Sequence, residues 1–225
     1  MTWLPLLLAD PSACLRWLVL RDLLGRPVDD PEVVELNELR QQDLQVQELL
    51  GLQEPDGSWR AGVLAAAGRA GSRTLMTAFA LARLGYWGFD PTHLAVRRGA
   101  EYLYSQQQAD GSWPLSEGAA LIDGNREIPS NERYSMIPLQ TAFPLRGLAS
   151  CGYAADPRSE RAYEWLLTQR LPDGAWPAGI AAGVYGYIAG YRKLAHTRWG
   201  CRSNTTGVLM CLALHPERCR SEPAR

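Results

Sequence analysis

The chain has 225 residues, and 23 Lys and Arg against 24 Asp and Glu leave a formal net charge of −1. That balance provides no basic footprint, so a nucleic-acid partner is not expected. A hydrophobic share of 46% beside a charged share of 21% excludes disordered and collagen-like chains.

In chain order, the apolar segment Trp3 to Ala9 lacks a basic lead and stops at Asp10, so it does not read as a secretory signal. Asp-Pro pairs at Asp10-Pro11, Asp30-Pro31, Asp90-Pro91 and Asp156-Pro157 predict helix starts, because the carboxylate can accept orphan N–H groups while Pro suits the first helical position. The pattern predicts helices near 10–24, 31–50, 73–86, 91–106, 132–152, 157–169, 183–195 and 204–215, with strands essentially absent. The expected organisation is an N-terminal helical segment, 1–50, followed by a repeat domain, 51–225.

The repeat is read from the chain itself. Gln53-Glu-Pro-Asp56-Gly57-Ser58-Trp59 recurs as Gln107-Gln-Ala-Asp110-Gly111-Ser112-Trp113, and then with one extra residue as Gln169-Arg-Leu-Pro-Asp173-Gly174-Ala175-Trp176. Thr77-Ala78-Phe79 matches Thr141-Ala142-Phe143, and Leu84-Gly85-Tyr86 matches Cys151-Gly152-Tyr153. Each unit predicts a helical hairpin whose base is an Asp-Gly turn, with Gln and Trp meeting across it. The three aspartates are therefore read as turn residues, not catalytic acids. From Asp156 the apolar positions Ala162, Trp165 and Leu166 form one stripe among Arg158, Glu160, Arg161 and Glu164, which predicts an outer helix. Leu75 to Leu84 and Gly207 to Leu214 are apolar nearly all round, which predicts an inner layer.

The repeated Gln-x-x-Asp-Gly-Ser-Trp resembles the QW motif of squalene and hopene cyclases, the prenyltransferase and squalene-oxidase repeat. The stretch Leu15-Arg-Trp-Leu-Val-Leu-Arg-Asp22, leading into such repeats, is similar to bacterial squalene-cyclase-like proteins of unassigned activity. The resemblance covers about residues 45 to 215 and implies an all-α fold, an α/α toroid. With roughly four hairpins against the about six of a closed ring, a partial or open arc is expected, truncated at its C-terminus or completed by a partner. It also implies a hydrophobic, isoprenoid-like ligand in the inner-helix cavity. Two alternatives stay open: a squalene-type terpene cyclase or prenyltransferase that works only with further C-terminal repeats or a partner chain, and a helical-repeat scaffold for protein interaction. Whether the chain is an enzyme is left open, because the family's chemical marks do not match. There is no Asp-x-Asp-Asp, Asp29-Asp30-Pro-Glu-Val does not complete Asp-Asp-x-x-Asp, and no Asp-x-Cys zinc pattern occurs.

The ligand-binding candidates are aromatic and cationic. Tyr134 lies in an insertion after Trp113 that also carries Asp123, Arg126, Glu127, Asn131, Glu132 and Arg133. Tyr185, Tyr187, Tyr191, Trp199 and Arg202 would rim the same cavity of a toroid, where aromatic faces suit isoprenoid chains or carbocations. Cys201, Cys211, His215 and Cys219 are the one cluster of metal-ligand types. Without a C-x-x-C knuckle, and with Pro216 breaking the spacing, the cysteines are read as free thiols and no metal or cofactor is expected. The scattered cysteines, with Cys14 and Cys151, point to a reducing compartment, so the expected location is cytoplasmic, free or peripheral to a membrane. The Gly207 to Leu214 helix is expected to be covered on one side only, which implies a homo-oligomer or a partner chain at the C-terminal edge.

Overall fold

The computed structural model describes residues 3–60, 73–113, 122–123, 126–127, 138–177 and 200–222. They belong to two compact units, Met1–Gln53 and Glu54–Arg225.

The first unit contains α1 (Leu4–Leu8), α2 (Ala13–Leu18), α3 (Pro31–Leu39) and α4 (Leu44–Leu50). A π-helical turn, Val19–Leu23, carries α2 onward. Its core is Ala13, Trp17, Leu20, Val33 and Leu36. The helix expected from residue 10 begins instead after Ser12, whose hydroxyl accepts the Leu15 N–H at 3.2 Å, while Asp10 accepts the N–H of Ser12 at 2.8 Å. The helix expected over 31–50 is broken at Asp43, which is extended at ψ 132° and opens α4. Its carboxylate accepts the Ser12 hydroxyl at 2.6 Å and the Gln45 N–H at 3.0 Å, so one side chain caps α4 and ties it to the start of α2.

The second unit is layered. Helices α5 (Arg73–Tyr86), α7 (Pro138–Leu148) and α9 (Arg202–Leu214) form an inner row in which each neighbours the next, while α6 (Leu94–Ser105) packs on α5 and α8 (Pro157–Thr168) on α7. Strand pairing among the described residues includes a two-residue antiparallel ladder, β1 (Ile122–Asp123) with β2 (Arg126–Glu127), and an isolated bridge between Pro177 and Gly200. The inner helices approach very closely: a Cβ on Gly147 would lie 2.6 Å from the Ala78 carbonyl oxygen, so only glycine permits this contact. Helix α8 opens as expected, with Asp156 accepting the Arg158 N–H at 2.8 Å. Helix α6 opens at Leu94, not at residue 91, because Asp90 spends its carboxylate on the N–H and hydroxyl of Thr92 at 2.8 and 2.5 Å, forming a separate turn before the helix. The helix expected near 183–195 lies outside the described residues.

Three turns repeat the same backbone geometry. Gly57, Gly111 and Gly174 have φ of 89°, 94° and 88°, a region open to glycine. Asp56 and Asp110 each accept the N–H and hydroxyl of the following serine at 3.0 Å or less, and Asp173 accepts the Ala175 N–H at 3.1 Å. Trp59, Trp113 and Trp176 are each 1% exposed or less. Their backbone N–H groups donate to the hydroxyls of Thr77, Thr141 and Thr205 at 2.9, 3.1 and 3.0 Å, which fasten each turn to the next inner helix. The indole N–H of Trp113 donates to Leu103 at 2.7 Å and that of Trp176 to Leu166 at 2.6 Å, which fastens it to the preceding outer helix.

This register corrects two sequence matches. The third motif has no extra residue: counted back from Asp173, the place of Gln53 and Gln107 belongs to Arg170. Gln107 donates to the Gly111 carbonyl at 2.9 Å and Arg170 to the Gly174 carbonyl at 3.2 Å, while Gln169 follows α8 as its C-cap, as Gln106 follows α6. Likewise the left-handed glycines after α5 and α7 are Gly88 and Gly152, in place of the matched Gly85 and Gly152. Counting from the threonines also aligns Leu81, Leu145 and Leu209. The first two are 0% exposed, whereas Leu209 is 38% exposed and Met210 beside it 36%.

Two substitutions test the turn. Trp113→Ala is expected to lower unfolding free energy by about 3–5 kcal/mol, as for a large buried aromatic. Thr141→Val, which strands the Trp113 N–H in a dry site, is expected to lower it by about 1–3 kcal/mol. Urea denaturation measures both, and near-wild-type midpoints would contradict the assigned role.

Candidate functional site

The face of the inner row turned away from the outer helices carries the candidate site. Leu81 points toward α6, since a Cβ added to Gly99 would meet its Cδ2 at 3.1 Å. Two positions along a helix are about 200° apart, so Phe79 faces the other way. The same offset from Thr141 places Phe143, and the two rings meet at 5.2 Å between centroids with a 53° tilt. Together with Ala78, Ala82, Arg83, Tyr86 and Arg146 they line a recess of about 190 Å³. Arg146 lies 5.3 Å from the Tyr86 ring centroid and donates from Nε to the Tyr86 hydroxyl at 2.8 Å. Arg83 lies over the Trp87 ring at 4.9 Å. The recess thus has an aromatic floor and a guanidinium rim.

Of the six ligand-binding residues expected from sequence, Arg202 is the one among the described residues. Tyr134, Tyr185, Tyr187, Tyr191 and Trp199 lie outside the described residues. Arg202 is exposed at the first turn of α9. Of the insertion, Asp123, Arg126 and Glu127 take part in the short ladder, while Asn131, Glu132 and Arg133 lie outside the described residues. The recess residues were visible in sequence only as the Thr-Ala-Phe repeat, whose facing requires the layer assignment.

The four metal-ligand types do not converge, and no metal-binding group of three or more His, Cys, Asp or Glu occurs among the described residues. Cys211 is buried and directs its thiol at the Ala142 carbonyl at 3.1 Å, with burial pushing its pKa up to about 12. Cys219 turns to Pro216 at 3.5 Å. His215 is committed at both nitrogens. Its Nδ1 accepts the N–H groups of Glu217 and Arg218, each at 3.1 Å, so the ring proton belongs on Nε2, which meets Glu160 Oε1 at 2.7 Å. Arg218 donates to Glu160 Oε2 at 3.0 Å and reaches Glu164 as well. This cluster locks the end of α9 onto α8, with Tyr163 donating to the Cys211 carbonyl at 2.9 Å beneath it.

A protein-family profile described as the squalene-hopene cyclase C-terminal domain matches residues 32–190. The chain is similar to a lanosterol synthase of Aspergillus fumigatus, 27% identical over 147 residues, which covers 64% of this chain and 18% of that protein. It is 29% identical over 136 residues to the squalene–hopene cyclase of Zymomonas mobilis, covering 60% of this chain and 19% of that one. Human lanosterol synthase is 32% identical over 136 residues, covering 59% and 17%. The chain therefore spans less than a fifth of the length of these relatives.

The α8–α9 lock has a predictable pH dependence. Burial works to raise the Glu160 pKa, but hydrogen bonds from His215 and Arg218 outweigh it and hold the carboxyl below its ordinary value. A depressed folded pKa means the stabilisation is present above the unfolded value and lost as pH falls through the folded one. Glu160→Gln is expected to be less stable than wild type at neutral pH, and the gap should close below about pH 4. Urea unfolding at neutral and acid pH measures the gap; one that is constant with pH would refute the lock.

Proposed function

The chain belongs to the squalene-hopene cyclase C-terminal domain family, and on that premise we propose that its inner helical row binds a hydrophobic, isoprenoid-like ligand. The observation that carries this reading is the Phe79–Phe143 recess, an apolar hollow on the face of α5 and α7 that the outer helices leave free. Aromatic faces gain from covering a hydrocarbon chain, and they attract any positive charge that develops along it. The cyclisation step is not assigned to this chain on its own. Protonating an alkene in such enzymes is the work of an Asp-x-Asp-Asp acid, and that string does not occur in the 225 residues. Free thiols fit a reducing, cytoplasmic setting. No described helix is long and apolar enough to cross a membrane.

A second reading, favoured by the exposed Leu209 and Met210, is that α9 is an association edge, covered by another copy, a partner chain or further hairpins. On that reading a cyclase or prenyltransferase activity belongs to the completed assembly.

Mass spectrometry of lipid extracted from the purified protein is expected to return an isoprenoid; a protein that carries none and takes up none of squalene, farnesol and farnesyl diphosphate would overturn the ligand reading. For the edge, Leu209→Asp is expected to shift the sedimentation of the protein toward monomer while leaving the α5–α8 hairpins folded by circular dichroism. A wild-type protein that is monomeric at all concentrations would refute the edge reading.

A further inference from the structure

The charges of the two layers differ in kind. Helix α6 carries Arg97, Arg98 and Glu101, and α8 carries Arg158, Glu160, Arg161 and Glu164, so the outer layer mixes both signs. The inner helices carry Arg73, Arg83, Arg146 and Arg202 and no Asp or Glu at all. Guanidinium groups at the rim of this hollow add to its aromatic floor a capacity for anions that a neutral hydrocarbon does not use. Arg73 is balanced by Asp56 at 3.2 Å, at the turn. Arg146 has no carboxylate partner among the described residues; it is held instead by the Tyr86 hydroxyl and ring, which fix its plane without neutralising it. Arg83 lines the same hollow, and the Phe79–Phe143 floor lies between these rims.

We propose that this recess selects an amphiphile with an oxyanion head, of the phosphate, diphosphate or carboxylate class, in preference to a neutral hydrocarbon. The inference rests on the ligand reading above and narrows it. The head pairs with the Nη1–Nη2 edge of the Arg146 guanidinium, since Nε and Nη2 on the other edge donate to the Tyr86 hydroxyl, and the hydrocarbon chain covers Phe79 and Phe143. Tyr86 keeps Arg146 in place before the ligand arrives, so little side-chain freedom is lost on binding.

The test is a set of calorimetric titrations with farnesyl diphosphate, farnesoic acid, farnesol and inorganic pyrophosphate, each below its micellar concentration. The two anionic amphiphiles are expected to bind at least about tenfold more tightly than farnesol, as charge-assisted pairing predicts. Pyrophosphate alone is expected to bind more weakly than farnesyl diphosphate. Arg146→Gln should abolish the preference over farnesol and Arg146→Lys restore part of it, while Phe143→Ala should weaken all three farnesyl compounds alike. Arg161→Gln, on the exposed side of α8, should change nothing, and thermal melting checks that each variant is folded. Equal affinity for farnesol and the anions, or a preference that survives Arg146→Gln, overturns the proposal while leaving the ligand reading intact. Pyrophosphate binding as tightly as farnesyl diphosphate overturns the amphiphile half of it. Failure of every farnesyl compound to bind removes the ligand reading and this inference together.

Discussion

A tryptophan N–H in a dry interior must find an acceptor, and three times in this chain the acceptor is a threonine hydroxyl on the next inner helix. The geometry of the second unit depends on this bond, because the same tryptophan is tied at its ring. In the last two copies the indole N–H donates to a carbonyl in the final turn of the preceding outer helix, which also accepts the N–H of the capping glutamine. The turn glycines extend the joint. A Cβ on Gly57 would lie 2.4 Å from the Arg98 carbonyl oxygen of α6, and one on Gly111 would lie 2.5 Å from that of Arg161 on α8. Gln107 completes the second copy by donating to the Arg158 carbonyl at 2.9 Å. The second motif therefore fixes the outer helix α6, the inner helix α7 and the outer helix α8 at one point, the nearest-neighbour coupling by which a repeat array propagates.

The features legible in the sequence are those that short-range physics decides. The Asp-Gly turn, the apolar inner helices, the amphipathic outer helix from Pro157 and the cap at Asp156 all arise from residues within a few positions of one another. The break at Asp43 was not legible, because its anchor is the hydroxyl of Ser12, 31 positions earlier. The false match of Gln169 has a different cause. Letter identity pairs glutamine with glutamine, whereas the turn counts positions from Asp173 and accepts any donor long enough to reach the Gly174 carbonyl, so Arg170 fills the place.

The candidate site divides along the same line. The phenylalanines stood in plain repeat, yet their direction depends on which side of α5 meets α6, a tertiary fact. His215 had the right chemistry for a metal ligand and the wrong surroundings, since two backbone N–H groups and one carboxylate already occupy its nitrogens. Arg146 had no local signal beyond being a charge in an apolar helix. The inner helices' lack of carboxylates was readable all along, but it acquires meaning only once those helices are known to form one layer.

The third copy of the repeat shows why the site belongs to α5 and α7 and not to the whole row. Counting two positions from Thr205 gives Gly207 where Phe79 and Phe143 stand in the other copies. A side chain at Gly207 would start 2.5 Å from Leu139 Cδ1, so Leu139 of α7 already fills the space that a third phenylalanine would need. Helix α9 thereby gains a close approach to α7 and gives up an aromatic position. Its opposite side keeps the exposed Leu209 at the place where Leu81 and Leu145 are buried. One helix therefore ends the aromatic stripe and continues the packing pattern, which separates the two properties physically: the residue two positions after each threonine sets the recess, and the residue four positions after it sets the edge.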